Sequence, residues 1–215
     1  MNFLNKYKPM QNKNIETIIF DLGAVLIDWN PRHLYRKIFS SEEEMENFLR
    51  DVCTSDWNET QDEGRTLAEG TELLVNNFPH HEENIRAYYG RWDEMLGGEI
   101  EGTKNILHRL KESGQYKLYA LTNWSDETFP IAWAMYPSLH WFDGIVVSGK
   151  EKMRKPAHAF FQLLLDRYNA DAHTSLFIDD NLRNVLAARE FGIDTILFES
   201  PEQLKTALEN RSIII

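Results

Sequence analysis

The sequence predicts an α/β protein, a doubly wound parallel sheet with an inserted all-helical cap domain. Three observations predict it. An apolar run, Ile15 to Phe20, ends on a carboxylate and a glycine-containing turn, Asp21-Leu22-Gly23. Residues 32–98 then place their apolar side chains at helical spacing only. From Gly102 onward, short apolar runs alternate with helical patterns. The 215 residues suffice for one full core and a small inserted unit.

Each element has its own local reason. Ile15 to Phe20 reads as a short buried strand, and Asn30-Pro31 breaks regular structure after its turn. Leu34, Ile38, Met45, Phe48, Leu49 and Val52 recur at helical spacing, as do Leu67, Leu73, Leu74, Val75 and Phe78, then Ile85, Tyr88, Tyr89, Trp92 and Met95. About four helices are expected there, and no strand. Ser40 or Ser41, followed by Glu43 and Glu44, marks a helix N-terminus. Trp57-Asn58-Glu59-Thr60-Gln61 reads as a non-periodic stretch between helices.

Beyond the cap, Thr103 is expected to cap a helix that Ser113-Gly114 stops. Strands are expected at Tyr116 to Leu121, Asp143 to Val147, Ser175 to Ile178 and Thr195 to Phe198. Helices are expected from Ser125-Asp126, over His158 to Tyr168, over Leu182 to Phe191, and from Pro201. The apolar tail Ile213-Ile214-Ile215 suits an edge strand. The core comprises residues 1–31 and 99–215, the cap residues 32–98. Hinges are expected at Trp29 to Arg32 and at Gly97 to Gly102.

The net charge of −11 argues against nucleic-acid backbones and anionic membranes as partners. No apolar run approaches the ~20 residues that cross a bilayer. The first fifteen residues lack the apolar core of a signal peptide and read as a floppy leader. One cysteine, Cys53, allows no intrachain disulfide. These features fit a cytoplasmic protein.

Four places carry chemistry. Asp21 follows the first strand, and Leu121-Thr122-Asn123 closes the second core strand. Lys155-Pro156 precedes a helix, and Asp179-Asp180-Asn181 ends a later strand. Singly, each has a plain alternative: turn former, solvated lysine or helix cap. In a parallel sheet, however, all these strand ends converge on one edge. Asp21, Asp179 and Asp180 would then form an oxygen-rich cluster suited to Mg²⁺. Thr122, Asn123 and Lys155 would supply donors to an anion, and Asp21 would be the nucleophile.

Phe20-Asp21-Leu22-Gly23-Ala24-Val25, Leu121-Thr122-Asn123, Lys155-Pro156 and Phe177-Ile178-Asp179-Asp180-Asn181 resemble the four motifs of the haloacid dehalogenase-like hydrolase superfamily. The resemblance spans nearly the whole chain, including a helical cap between the first two motifs. It implies a Rossmann-like core, Mg²⁺ in the phosphatases, and an aspartyl-enzyme intermediate. It implies Asp21 as nucleophile and metal ligand, the Gly23 carbonyl as a second ligand, and Asp180 as a third, with Asp179 binding or positioning the ion. It implies that Thr122 and Asn123 hold the transferring group while Lys155 stabilises its charge.

Most phosphatases of that superfamily carry a second aspartate two residues after the nucleophile, where this chain has Gly23. The glycine-bearing first motif and the Asp-Asp-Asn fourth motif are similar to those of a bacterial branch acting on sugar 1-phosphates. The expected function is Mg²⁺-dependent hydrolysis of a small phosphorylated metabolite, by a monomer or homodimer. The alternatives are a 2-haloacid dehalogenase, which needs no proton donor, and a binding or regulatory protein without turnover. Asp28 or a cap residue is a candidate for the missing acid. Trp57, Gln61 or Arg65 in the cap, and Trp124 after the second motif, are candidates for substrate contact.

Overall fold

The computed structural model describes residues 14–215. Most of the expected N-terminal leader lies outside the described residues. The core strands are β1 (Thr17–Phe20), β4 (Lys117–Thr122), β5 (Gly144–Val147), β6 (Ser175–Asp179) and β7 (Asp194–Leu197). They form one parallel sheet in the order β5-β4-β1-β6-β7. The chain runs outward from β1 through β4 to β5, then crosses back to β6 and β7. The sheet therefore changes direction at β1, the kind of switch point where α/β proteins bind ligands at strand carboxyl ends.

The sheet is buried on both faces, which is why its strands read as continuous apolar runs. Alternate residues face opposite ways. Ile19, Leu121 and Phe177 pack with Phe160, Phe161 and Leu164 of α9 (His158–Tyr168) and Ala188 of α10 (Leu182–Glu190). Ile18, Phe20, Ala120, Leu176 and Ile178 join the other layer, with Ile106, Leu107 and Leu110 of α6 (Glu101–Ser113) and Leu204 and Leu208 of α11 (Pro201–Glu209). Register levels the strand ends: Phe20 pairs with Ala120 on one side and Ile178 on the other. Asp21, Leu121 and Asp179 thus sit at one height, with Thr122 one residue beyond.

Residues 32–95 are helical: α1 (Arg32–Tyr35), α2 (Glu42–Asp51), α3 (Ser55–Asp62), α4 (Leu67–Asn77), α5 (Glu82–Gly90) and two short 3-10 turns. Ser41 caps α2 and Thr54 caps α3, while Thr66 and Glu69 form a capping box on α4. Tyr35, Phe48, Trp57 and Tyr88 make the aromatic centre of this unit. Two further helices, α7 (Phe129–Met135) and α8 (Ser148–Glu151), come after β4 and β5 respectively. Among the described residues no helix is long and apolar enough to cross a membrane.

The structure corrects several expectations. The expected strand-free insert ends in one: β3 (Leu96–Glu99) pairs antiparallel with β2 (Ile27–Trp29), so both chain crossings form a single ribbon. Three and four residues are too few to show period-2 alternation. Thr103 lies inside α6, fully buried, because the helix starts two residues earlier at Glu101. The α7 helix begins at Phe129, with Pro130 in its first turn, not at Ser125-Asp126. Residues 213–215 form no strand; Ile213 packs into the core while Ile214 is exposed.

The ribbon also constrains Gly97. A Cβ there would strike Asp28 Oδ2, and would lie 2.8 Å from His33 Nε2, the two atoms that pair with each other at 2.9 Å. Gly97→Ala is expected to lower stability by about 1–3 kcal/mol, the usual range for overpacking. Denaturant unfolding, with the slope unchanged, would check this.

Candidate active site

Lys155 sits at the centre of the switch point. Its side chain is fully buried, and Nζ lies 2.9 Å from Asp21 Oδ1 and 2.8 Å from Asp179 Oδ2. An ammonium ion so far from water needs such partners. Burial opposes its charge, but Asp179 and Asp21 together outweigh that and raise its pKa.

The surrounding backbone is held to match. The Asn123 amide clamps the Lys155 main chain: Nδ2 donates to the Lys155 carbonyl at 3.0 Å, and Oδ1 accepts from its N–H at 2.9 Å. Asp179 is also fully buried. Its Oδ1 accepts from Asn181 N–H at 2.7 Å, and Asn184 Nδ2 donates to both oxygens at 3.1–3.2 Å. Asp21 Oδ1 takes the Leu22 N–H at 2.8 Å as well as Lys155. Asp21 Oδ2 has no hydrogen bond among the described residues, so it is the oxygen free to react or to ligate.

Asp21, Asp179 and Asp180 each offer an oxygen within 4.8 Å of the others. One ammonium cannot balance three carboxylates. Burial first, then Asp179 and Asp180, push the Asp21 carboxyl up to about 7 despite Lys155. Burial and Asp179 raise Asp180 as well. A hard divalent cation is the chemical complement of this surplus of oxygen. Asp180 is the more exposed of the pair and keeps its side chain free for one, whereas Asp179 is saturated by Lys155, Asn181 and Asn184. Among the described residues Thr122 Oγ1 is buried without a partner, a hydroxyl at the end of β4 with a hydrogen bond still to make.

A cavity of about 60 Å³ opens on Gly23. Asn123, Trp124, Ser125 and Thr128 line it from the core, and Trp29, Asn58, Asp62, Tyr89 and Trp92 from the ribbon and insert. Trp57, Gln61 and Arg65 do not. The stretch read as non-periodic is the helix α3, and on a helix residues 57 and 61 share one face while 58 and 62 share the next. Trp57 and Gln61 face inward: Trp57 Nε1 donates to Gly70 O at 3.0 Å, and buried Gln61 donates to Tyr89 Oη at 2.9 Å. Arg65 then holds Gln61 Oε1 at 2.6 Å. Asn58 and Asp62 take the cavity side.

Asp28 also stays outside the cavity, paired with His33 in the ribbon. Trp124 does line it, tilted against Trp92 with ring centroids 5.7 Å apart. Helix α3 is fastened to the core. Arg154 reaches Glu59 at 2.8 Å and Glu63 at 3.2 Å, Arg183 reaches Glu59 at 2.7 Å, and Ser148 Oγ donates to the Asp62 carbonyl. Cys53 is no rival nucleophile, because burial pushes its thiol up to about 12.

A family model described as haloacid dehalogenase-like hydrolase matches residues 15–192. The chain belongs to this family. Three curated relatives match most of this hydrolase's length. The drimenol cyclase drtB of Aspergillus calidoustus is 27% identical over 91% of the chain, which spans only 36% of that relative's length. The sesquiterpene phosphatase astK of Aspergillus oryzae is 26% identical, covering 91% of the chain and 95% of the relative. The glyceraldehyde 3-phosphate phosphatase of Pyrococcus abyssi is 26% identical over 86% and 82%.

Among solved structures, a predicted HAD-like hydrolase from Porphyromonas gingivalis superposes with a TM-score of 0.72 at 20% identity, covering 94% of this chain and all of that one. A HAD family enzyme from Bacteroides thetaiotaomicron, in complex with magnesium and inorganic phosphate, gives 0.64 at 24% identity over 86% and 95%. These place the hydrolase's fold.

Sequence reasoning missed Asn184 and Asp62. An asparagine on the buried face of α10, five residues after Asp179, was the available signal for the first. The second needed the helical phase of α3.

The charge balance has two measurable consequences. Lys155→Ala strands two buried carboxylates and is expected to destabilise the protein by about 3–5 kcal/mol in chemical denaturation. Asp21→Asn works the other way. The folded pKa of about 7 exceeds the unfolded 3.8, so ionising Asp21 opposes folding. That penalty is absent below about pH 4, grows between the two values and is complete above pH 7. Without metal, Asp21→Asn is expected to raise Tm at pH 8 by roughly 5–10 °C, a gap that closes toward pH 4.

Proposed function

We propose that this hydrolase is a Mg²⁺-dependent phosphatase of a small phosphorylated metabolite, working through phosphorylation of Asp21. The observation that carries the reading is the surplus of carboxylates: Asp21, Asp179 and Asp180 converge around a single lysine. A halide-displacing site has no use for that surplus, while a divalent cation and a phosphoryl group do. Two named relatives are phosphatases, which supports the same class. Residues 1–31 and 99–215 serve as the catalytic core and residues 32–98 as its cap.

Asp21, Asp180 and the Gly23 carbonyl would hold Mg²⁺, with Asp179 behind them. The ion would neutralise phosphoryl oxygens and align them for in-line attack. Asp21 Oδ2, the unengaged oxygen, attacks phosphorus, and the bond to the leaving oxygen breaks. Thr122 Oγ1 donates to a phosphoryl oxygen, which satisfies its orphaned hydroxyl. Lys155 balances charge on the Asp21 side. Asn123 fixes Lys155 through its main chain, so any contact it makes to phosphate comes from its own backbone. Water then hydrolyses the phosphoaspartate and restores Asp21.

The cavity limits the leaving group. Its volume is about 60 Å³, small against a fifteen-carbon leaving group. With α3 fastened, a compact polyol or triose fits better than a sesquiterpenol. Aromatic walls suit the C–H faces of such a group. The chain is read as a cytoplasmic monomer or homodimer, in keeping with its single buried thiol.

A panel of phosphorylated metabolites with Mg²⁺ tests the reading. Phosphate release is expected from compact phosphomonoesters, and is abolished by EDTA and by Asp21→Asn. Metal-independent halide release from 2-haloacids would overturn it, as would ligand binding without turnover of any phosphomonoester.

A further inference from the structure

Gly23 leaves the leaving oxygen without the neighbouring acid that most phosphatases of this fold possess. The position is not closed: a Cβ at Gly23 would meet nothing within 4 Å. The cavity opens there, and Asp62 is the one carboxylate among its lining residues. We propose that Asp62, carried by the cap helix α3, is the general acid for the leaving group. This role rests on the phosphatase reading and adds the source of the proton.

Asp62 is fixed in place from both sides of the cavity. Asn58 Nδ2 donates to its Oδ2 at 3.0 Å, and the backbone N–H of Ser125 in the second-motif loop favours its charged form from the core side. Ser148 holds its backbone carbonyl. Among the described residues no cation pairs with it. Arg154, a base close enough to influence it, is engaged by Glu59 and Glu63. A salt-bridged carboxylate would be a poor acid; this one is half-buried at the cavity wall and pairs with no cation among the described residues.

The titration agrees with the geometry. Burial pushes the Asp62 carboxyl up to about 7; Glu59 adds to this, and the Ser125 N–H and Arg154 oppose it. Tyr88 and Tyr89 of α5 are close enough to feel its charge, and both stay protonated because burial raises them. A general acid works best with a pKa near the operating pH.

Atoms and protons balance in both half-reactions. As Asp21 Oδ2 bonds to phosphorus, the P–O bond to the alcohol breaks, and the Asp62 proton passes to that oxygen. The alcohol departs neutral and Asp62 is left as carboxylate. Water attacking the phosphoaspartate gives a proton to Asp62 and its oxygen to phosphorus. The bond to Asp21 breaks, and both aspartates return to their starting forms.

The test is kcat/KM, with Mg²⁺, for phosphate esters of graded leaving-group basicity, from p-nitrophenyl phosphate through phenyl phosphate to glycerol 3-phosphate. Between p-nitrophenyl and phenyl phosphate the wild type is expected to lose less than about tenfold. Asp62→Asn is expected to lose about 10²–10⁴-fold on glycerol 3-phosphate. On p-nitrophenyl phosphate, whose leaving group needs no proton, it should stay within about threefold. An equal loss on all three esters, marking a merely structural role, would overturn the proposal, and so would no loss. A steep dependence in the wild type alone would also sink it, and that measurement needs no variant to fold. Wild-type protein inert toward every ester would instead refute the phosphatase reading, and Asp62 would lose its role with it.

Discussion

The buried ammonium of Lys155, held between Asp21 and Asp179, is the contact on which the site depends. Three unrelated segments must meet for it to exist: the end of β1, the loop after α8 and the end of β6. Each carboxylate is tolerable at its depth because the lysine is there, and the lysine is tolerable because of them. The remaining polar groups are arranged around this contact. Asn123 clamps the lysine's backbone, Asn184 and Asn181 saturate Asp179, and Leu22 N–H holds one oxygen of Asp21. The unsatisfied groups are therefore informative. Among the described residues, Asp21 Oδ2, Asp180 and the Thr122 hydroxyl are the groups left without side-chain partners.

The same imbalance separates stability from function. The fold would be more stable with a neutral group at position 21, because burial and two neighbouring aspartates oppose its charge. The energy withheld from folding is available to a cation that binds the folded state. Active sites commonly concentrate such perturbed groups. Here the perturbation arises from position on the sheet, at the switch point where β1 is flanked by β4 and β6.

Beside this polar centre, across the cavity from Gly23 and Asn123, lies an aromatic and amide-bearing surface from a different part of the chain. Its composition reflects the phase of one eight-residue helix. Thr54 caps α3 and sets its start. The i, i+4 repeat then sends Trp57 and Gln61 into the insert and Asn58 and Asp62 toward the core. Shifted by one residue one way, the helix would bring Trp57 and Gln61 to the cavity; shifted the other way, it would bury Asn58 and Asp62. The salt links from Glu59 and Glu63 to Arg154 and Arg183 belong to the flank between these faces and fasten the helix to the core.

Local sequence was enough for the sheet, the interrupted α/β order and the identity of the central residues. Continuous apolar strands and period-3.6 helices are local patterns, and a carboxylate at the end of a buried run is legible without coordinates. Short elements were not legible: β2 and β3 have too few residues to show alternation, and Thr103 resembled a cap because helix starts carry no unique mark. Tertiary contacts alone settle which polar groups are used up and which are free. They engage the Asn123 side chain as a clamp on Lys155, put Asn58 and Asp62 in place of Trp57 and Gln61 on the cavity wall, and tie Asp28 to His33. Those outcomes depend on hydrogen bonds and packing between residues distant in the chain, and no local pattern encodes them.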